Sequence, residues 1–145
     1  MGNLKLTSSA FEDGGEIPRK YGYKNGNREP PLTMNGVPEG TKSLALIMDD
    51  PDAMEPAGKV WVHWVAWNID PTKTELAKST EGMTDFGEVG YGGPAPPDKR
   101  HTYVFKLYAL DSELDLPDKS TKADVEKAME GHIIEQTQLT GTYAP

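Results

Sequence analysis

Hydrophobic residues are concentrated in three stretches of this chain, at residues 43–48, 60–69 and 101–110. Strands with one exposed face alternate apolar and polar residues, whereas strands covered on both faces are apolar at consecutive positions. The stretch 60–69 is apolar on both faces almost to its end. We therefore predict three buried β-strands, with residues 60–69 as a central strand that is covered on both faces.

The central stretch contains all three tryptophans of the chain and one of its three histidines. With strict alternation of side chains, the face that carries His63 also carries Trp61, Val65, Trp67 and Ile69. A buried histidine needs a hydrogen-bond partner or a ligand, because an unpaired polar group in apolar surroundings is costly. His63 is therefore a candidate site residue, and a satisfied core histidine is the alternative interpretation.

The third stretch alternates between an inner face and a partly exposed face. His101, Tyr103 and Phe105 share one face, and Lys106 lies on the other, which indicates that the second face is partly wet. His101 and Tyr103 are therefore expected to point toward the core.

Weaker patterns predict the remaining strands. Short strands are predicted at four places, which are residues 3–7, 32–34, 37–38 and 136–143. The sequence Asn35-Gly36 is a candidate tight turn between the middle two. Residues 8–40 are otherwise rich in Gly, Pro and Asn, and we interpret them as loops with apolar anchors. A disordered tail is the alternative for this region.

One helix is predicted near the end of the chain. Thr121 is a suitable N-cap, and Asp124 lies three residues later, as in a capping box. Apolar residues follow at helical spacing from Val125 to Ile133. Loops are predicted at residues 54–59 and 70–99, the second of which is rich in glycine and proline.

Carboxylates follow the first buried stretch directly, at Asp49, Asp50 and Asp52 around Pro51. Proline cannot donate to the hydrogen-bond ladder, so the strand is expected to end before it. Aspartates beside a proline commonly form turns through local hydrogen bonds to backbone amides. A role in a site is the other interpretation, because these carboxylates lie at the end of a buried strand.

Composition limits the classes of function. A chain of 145 residues without cysteine is expected to form a single domain, residues 1–145, without disulfides or thiolate metal sites. The net charge of −8 argues against nucleic-acid binding, which needs basic patches. There is no signal-peptide pattern and no apolar stretch of about 18 residues, so we expect a cytoplasmic protein that does not span a membrane.

Polar residues converge at the ends of the predicted strands. If the strands share one sheet, Asp50, His63, His101 and Tyr103 line one small cavity walled by residues 91–97. Two histidines and a carboxylate could hold a divalent metal, although their spacing matches no tight metal motif. No nucleophile motif and no phosphate-binding glycine loop is present in the sequence. The remaining option is an anion pocket, in which imidazoles, a hydroxyl and loop amides donate while Asp50 orients a histidine.

Four segments of the chain carry a family resemblance. They are Asp-Pro-Asp-Ala at 50–53, Trp-Val-His-Trp-Val-Ala-Trp-Asn-Ile at 61–69, Tyr-Gly-Gly-Pro-Ala-Pro-Pro at 91–97 and His-Thr-Tyr-Val-Phe at 101–105. Together they resemble the signature regions of the phosphatidylethanolamine-binding protein family, in its bacterial and archaeal Raf-kinase-inhibitor-like branch. The resemblance covers nearly the whole chain. It implies a mainly β fold, an antiparallel β-sandwich with a Greek-key element and one or two peripheral helices.

The resemblance also implies a pocket for phosphate or a phosphorylated headgroup, in a protein that is not an enzyme and needs no cofactor or metal. Matched by motif position, the pocket residues are Asp50, His63, His101 and Tyr103, with a wall of Tyr91, Ala95, Pro96 and Pro97 and with Trp61 at the border. Asp52 would tie the loop. We hypothesise that both histidines donate to the anion, so that binding weakens as the pH rises, with a midpoint near or somewhat above about 6.5.

The chain departs from the family pattern at Met54, Thr102 and Ala95, where proline, arginine and glycine are common. Thr102 points away from the face of His101, so the loss of the arginine should not affect the pocket. Ala95 is expected either to narrow the mouth of the pocket or to prevent the close approach of the backbone to a ligand that glycine allows. Family members also inhibit kinases or proteases, so the second hypothesis is an inhibitor module that acts through loops 54–59 and 70–85. Prokaryotic relatives are often dimers, which makes a homodimer a further expectation.

Overall fold

The computed structural model describes residues 3–76 and 79–145, and this part of the chain is built mainly from β-strands. The strands are β1 (Lys5–Thr7), β2 (Gly15–Glu16), β3 (Thr33–Asn35), β4 (Ser43–Asp50), β5 (Trp61–Ile69), β6 (Thr80–Glu81), β7 (His101–Leu110) and β8 (Ile133–Tyr143). The α-helices are α1 (Met54–Ala57) and α2 (Lys122–Met129), and single 3-10 turns occur at Arg19–Tyr21 and Pro51–Ala53.

The strands form a six-stranded sheet in the order β2-β8-β7-β4-β5-β6 and a two-stranded sheet of β1 and β3. All neighbours are antiparallel except β2 and β8, which are parallel. The strands β4, β5 and β6 lie side by side in chain order. The chain then returns, and β7 pairs with the free side of β4, which is the Greek-key order. The predicted mainly β sandwich is confirmed.

Two apolar layers cover the two faces of the large sheet. The first lies between the two sheets and includes Leu6, Met34 and Leu46. The second lies under α2 and includes Ile47, Trp67 and Val125. All eight residues of β4 are buried, because this strand has a neighbour on each side and a layer on each face.

The prediction that residues 60–69 form a central strand covered on both faces is confirmed, because β5 has a strand on each side and contributes residues to both apolar layers. β5 lies next to the edge, and β6 pairs with it only at Ala66 and Trp67. Its outer edge is satisfied instead by loop amides, among which Gly92 N–H donates to the His63 carbonyl at 2.8 Å. A strand that is buried on both faces can thus be paired by loops along most of one edge, because burial of its faces and pairing of its edges are separate conditions.

A bulge in β5 changes the face of His63. Met48 of β4 pairs with Trp64, but the next residue, Asp49, pairs with Val62, so His63 is an extra residue in the ladder. Trp64 packs in the layer between the sheets, whereas Val65 packs under α2. The strict alternation that placed His63 on the face of Val65 and Trp67 is therefore wrong.

Residues 8–40 pack against the sheets, with Ile17, Tyr21 and Leu32 buried, so the alternative of a disordered tail is contradicted. The predicted hairpin at Asn35-Gly36 is also wrong, because β3 pairs with β1 and residues 37–38 form no strand. Gly36 has a φ of 69°, and a Cβ at this position would overlap the Asn3 carbonyl.

Element ends differ from the predictions at three places. β4 continues through Asp50, so two of the carboxylates belong to the strand, and β8 begins at Ile133 instead of 136. The loop predicted at 54–59 contains the short helix α1. The predicted capping box at Thr121 and Asp124 is confirmed, with hydrogen bonds in both directions. Within the described residues, no helix is long and apolar enough to cross a membrane.

Candidate ligand-binding cavity

A cavity of about 180 Å³ lies at the edge of the sheet where β4 ends and β5 and β7 begin. Seven of the nine predicted pocket residues line it, which are Asp50, Trp61, His63, Ala95, Pro97, His101 and Tyr103. The antiparallel order places these strand ends side by side, because Asp50 pairs with Trp61 across one ladder and β7 starts on the other side of β4. After β4, Pro51 starts a 3-10 turn that leads into α1 over the cavity.

The predicted residues Tyr91 and Pro96 do not line this cavity. The Tyr91 hydroxyl donates to the Tyr21 carbonyl at 2.8 Å, and its ring packs edge-on against Trp64. Pro96 lines a neighbouring hollow with Lys24 instead. Both residues support the wall from behind.

Four residues that the sequence reasoning missed also line the cavity, which are Ala53, Pro56, Ala57 and Phe86. Phe86 stacks on Tyr23 with ring centroids 4.1 Å apart and meets the edges of Trp61 and His63. Because residues 70–99 show no periodic pattern, no sequence signal pointed to Phe86. The cavity is consequently apolar along most of its wall and polar at one end.

His101 is the charged centre of the polar end. Its Nδ1 lies 2.6 Å from Asp50 Oδ2, and its Nε2 lies 2.7 Å from Asp98 Oδ1, while its side chain is fully buried. Burial opposes the cation, but the hydrogen bonds and charges of Asp50 and then Asp98 outweigh it and raise the pKa of His101. With carboxylates at both ring nitrogens, both nitrogens donate, and the ring is an imidazolium.

Asp50 is anchored by the backbone as well as by His101. Its Oδ1 accepts a hydrogen bond from the Asp52 amide at 2.9 Å. Burial raises the pKa of the Asp50 carboxyl, although the hydrogen bond from His101 acts in the opposite direction. The neighbouring carboxylate of Asp52 accepts from the Thr102 amide at 2.8 Å, so it ties the loop to the start of β7.

His63 is in a different state from His101. Its Nδ1 lies 2.7 Å from the Gly92 carbonyl, which can only accept, so Nδ1 carries the proton. Burial lowers the pKa of His63 to about 4, although the Gly92 and Gly93 backbone close to the ring favours its cation. His63 is therefore a neutral imidazole, and the hypothesis that both histidines act as donors to an anion does not fit this geometry.

The Tyr103 hydroxyl is buried and, among the described residues, has no hydrogen-bond partner. It lies near the Ala95 amide and the Asp50 carboxylate without a well-formed bond to either. Burial, followed by the negative charge of Asp50, raises the pKa of Tyr103, so the group stays a phenol. Buried polar atoms are usually satisfied, and an unsatisfied one that lines a cavity marks a contact point for a ligand or a water.

The polar end thus offers a donor at Tyr103 and an acceptor at His63, while both N–H groups of His101 are committed to Asp50 and Asp98. The sequence reasoning also missed Asp98, which holds the imidazole of His101. The only sequence feature that pointed to this contact was its position three residues before His101. In the described part of the chain, no group of three or more His, Cys, Asp or Glu side chains is arranged to hold a metal ion.

Comparisons with known proteins agree with this architecture. The family model described as phosphatidylethanolamine-binding protein matches residues 7–144. The chain is 46% identical over 151 residues to a UPF0098 protein of Methanothermobacter thermautotrophicus, with 97% of this chain and 98% of that protein covered.

Two solved structures are similar over nearly their whole length. A putative phosphatidylethanolamine-binding protein homologue from Chlamydia trachomatis superposes with a TM-score of 0.91 at 40% identity, covering 97% of this chain and 96% of that one. YbcL of E. coli, described as a member of the mammalian family, has a TM-score of 0.89 at 32% identity, covering 98% of each chain. The predicted resemblance is confirmed, and the chain belongs to the phosphatidylethanolamine-binding protein family.

Proposed function

We propose that this protein binds a small phosphate-like anion, either free or as part of an organic phosphate, at the polar end of the cavity. The observation that carries the proposal is the Tyr103 hydroxyl, which is buried, lines the cavity and has no partner among the described residues. A bound oxyanion would satisfy this donor, and satisfying a buried donor is worth about 1–3 kcal/mol.

The charge at the polar end supports the same proposal. The His101 imidazolium lies beside Tyr103, with ring centroids 6.3 Å apart. Its Nε2 is held by Asp98, whose side chain is 38% exposed and can turn toward solvent. An anion oxygen that takes the place of Asp98 would accept a charge-assisted hydrogen bond from His101 and a neutral one from Tyr103.

The apolar wall supports a ligand with an organic substituent. Trp61, Phe86 and Pro56 contribute apolar side chains to the cavity wall. An alkyl or aromatic group attached to the anion would be removed from water there, which is worth about 25 cal/mol per Å² of buried apolar area. Organic phosphates should therefore bind more tightly than inorganic phosphate.

Isothermal titration calorimetry with inorganic phosphate and phosphoethanolamine tests the proposal. Wild-type protein should bind at least one of them saturably, and Tyr103→Phe should weaken that binding about tenfold through the loss of one hydrogen bond to a charged group. His132→Asn is the matched control, because His132 is exposed and contacts Asp111. Absence of binding by wild-type protein would contradict the proposal.

Inhibition of a protein partner is a second candidate, favoured by Met54. This side chain is 55% exposed in α1, between the cavity-lining residues Ala53 and Pro56. An exposed methionine on a short helix at the mouth of a cavity is suited to insertion into an apolar pocket of a protease or kinase. Inhibition assays against a serine carboxypeptidase and a protein kinase test this candidate, with Met54→Ser expected to weaken any inhibition about fivefold. If wild-type protein inhibits neither enzyme, this candidate fails.

A further inference from the structure

His63 presents an acceptor, not a donor, to the cavity. The Nδ1 proton of its ring is committed to the Gly92 carbonyl at 2.7 Å, and the Gly92 amide donates back to the His63 carbonyl at 2.8 Å. This reciprocal pair fixes both the tautomer and the ring orientation. The remaining nitrogen, Nε2, makes no hydrogen bond to any described residue, and the ring lines the cavity.

The surroundings of His63 do not allow it to gain a second proton easily. Its ring is enclosed edge-on by Phe86 and Tyr103, and its residue exposure is 2%. The carboxylates that act on its ring are committed elsewhere, since Asp49 is bound to two lysines and Asp85 is bound to Lys59. An imidazolium at this position would have no anionic partner of its own, which makes the cation expensive in an apolar setting.

A ligand in the cavity therefore meets donors on one side and a bare acceptor on the other. Tyr103 donates, and His101 donates once the anion has taken the place of Asp98 at its Nε2, while Nε2 of His63 requires a donor. We infer that the cavity selects oxyanions that carry their own proton, such as hydrogen phosphate or a phosphomonoester monoanion, over oxyanions that carry none. This inference rests on the proposed function and names the class of anion that the site takes.

The selectivity follows from the chemistry of isosteric anions. Sulfate and phosphodiesters have the shape of phosphate but have no proton to donate near neutral pH. Either anion would place a negatively charged oxygen against the lone pair of Nε2, which leaves one acceptor unpaired and adds repulsion. Sites built to hydrogen-bond a ligand group reject analogues that lack it by large factors, up to about 10⁴–10⁵. Because Nε2 is one contact among several, we expect a factor of at least about ten.

Calorimetric titration with four small anions at about pH 5.5 tests this inference, because phosphomonoesters have a second pKa of about 6 and are then largely monoanions. The probes are inorganic phosphate, sulfate, methyl phosphate and dimethyl phosphate. Phosphate should bind at least about tenfold more tightly than sulfate, and methyl phosphate at least about tenfold more tightly than dimethyl phosphate. Equal binding within either pair would overturn the inference and leave the proposed function standing. If none of the four binds, the proposed function fails and the inference fails with it.

Two substitutions of His63 separate selectivity from folding. In His63→Asn the amide can still donate to Gly92, but no group occupies the Nε2 position, so phosphate affinity should fall about tenfold. In His63→Gln an amide reaches the Nε2 position and can donate as well as accept, so the preference for phosphate over sulfate should collapse to about twofold. A preference in His63→Gln that equals that of wild type would overturn the assignment to Nε2. His132→Asn serves as the control, and far-UV circular dichroism confirms that each variant is folded.

Discussion

Asp49 and Asp50 are consecutive residues of β4, and both are buried, yet they lie on opposite faces of the sheet and have different partners. Asp49 Oδ2 accepts from Lys106 at 3.1 Å and from Lys122 at 2.8 Å, which joins β7 and α2 to the sheet. Asp50 accepts from His101 at 2.6 Å and from the Asp52 amide at 2.9 Å.

The difference shows how one strand carries a structural ion cluster on one face and a candidate binding site on the other. The charge of Asp49 is balanced by two lysines. The charge of Asp50 is balanced by a histidine, which can lose its proton, at a cavity that is also lined by Tyr103, whose hydroxyl has no partner among the described residues. The two faces should therefore respond differently to pH and to substitution.

The largest expected effect is a loss of stability in acid, which arises from His63 on the cavity face. Its folded-state pKa of about 4 lies below the unfolded value of 6.5, so between these values the unfolded chain binds a proton that the folded chain does not. The free energy of unfolding should then fall by about 3 kcal/mol as the pH drops through this window. Denaturant unfolding of wild-type protein and His63→Asn at both ends of the window measures the difference. An equal acid loss in both proteins would contradict this assignment.

Removal of the carboxylate on the other face should affect stability and leave binding intact. Asp49→Asn leaves Lys106 and Lys122 without their shared partner, but these side chains are 32% and 21% exposed and remain partly hydrated. We expect a loss of about 2 kcal/mol in the free energy of unfolding, less than for a fully buried pair. Phosphate affinity, measured by calorimetry on the same protein, should stay within about twofold of wild type. If Asp49→Asn weakened phosphate binding and left stability unchanged, the structural role assigned to Asp49 would be wrong.

The corresponding change on the cavity face should act through His101. In Asp50→Asn the ring loses one of its two carboxylate partners, so the pKa of His101 should fall, and an NMR titration of its ring protons measures this. The raised pKa contributes stability that is present below about 6.5 and is lost as the pH rises through the folded value. At about pH 6 the substitution should cost about 1.5 kcal/mol. Asp49→Asn is the control, and an equal effect of both substitutions on His101 would contradict the separation of the two faces.

The smallest expected effect concerns Asp98, which holds Nε2 of His101 at the polar end. Asp98→Asn replaces the charged acceptor at this donor with a weaker neutral one and removes one negative charge. Phosphate affinity at about pH 6 should therefore rise about threefold, a modest gain because the side chain is partly exposed. Asp118→Asn, which removes an exposed aspartate on the connection before α2, is the matched control for net charge. Unchanged or weaker binding in Asp98→Asn would show that Asp98 does not compete with the anion.

The periodic pattern of the sequence predicted the parts of the fold in which side-chain direction is a local property. β7 pairs with β8 in unbroken register from His101 to Ala109, so simple alternation placed His101 and Tyr103 on the inner face correctly. The buried strand β4 and the capping box of α2 were also predicted correctly, because each depends on residues that are close together in the chain.

The state of the cavity depended on contacts between distant segments. The direction of His63 follows from the register of β5 against β4, where one bulge moves the ring to the cavity face. Its tautomer follows from Gly92, 29 residues away, and the charge of His101 depends on Asp50, 51 residues away. A two-residue period carries no information about which residue of a neighbouring strand will be opposite. The ionisation of a buried group is set by whichever partners the fold brings within about 3 Å.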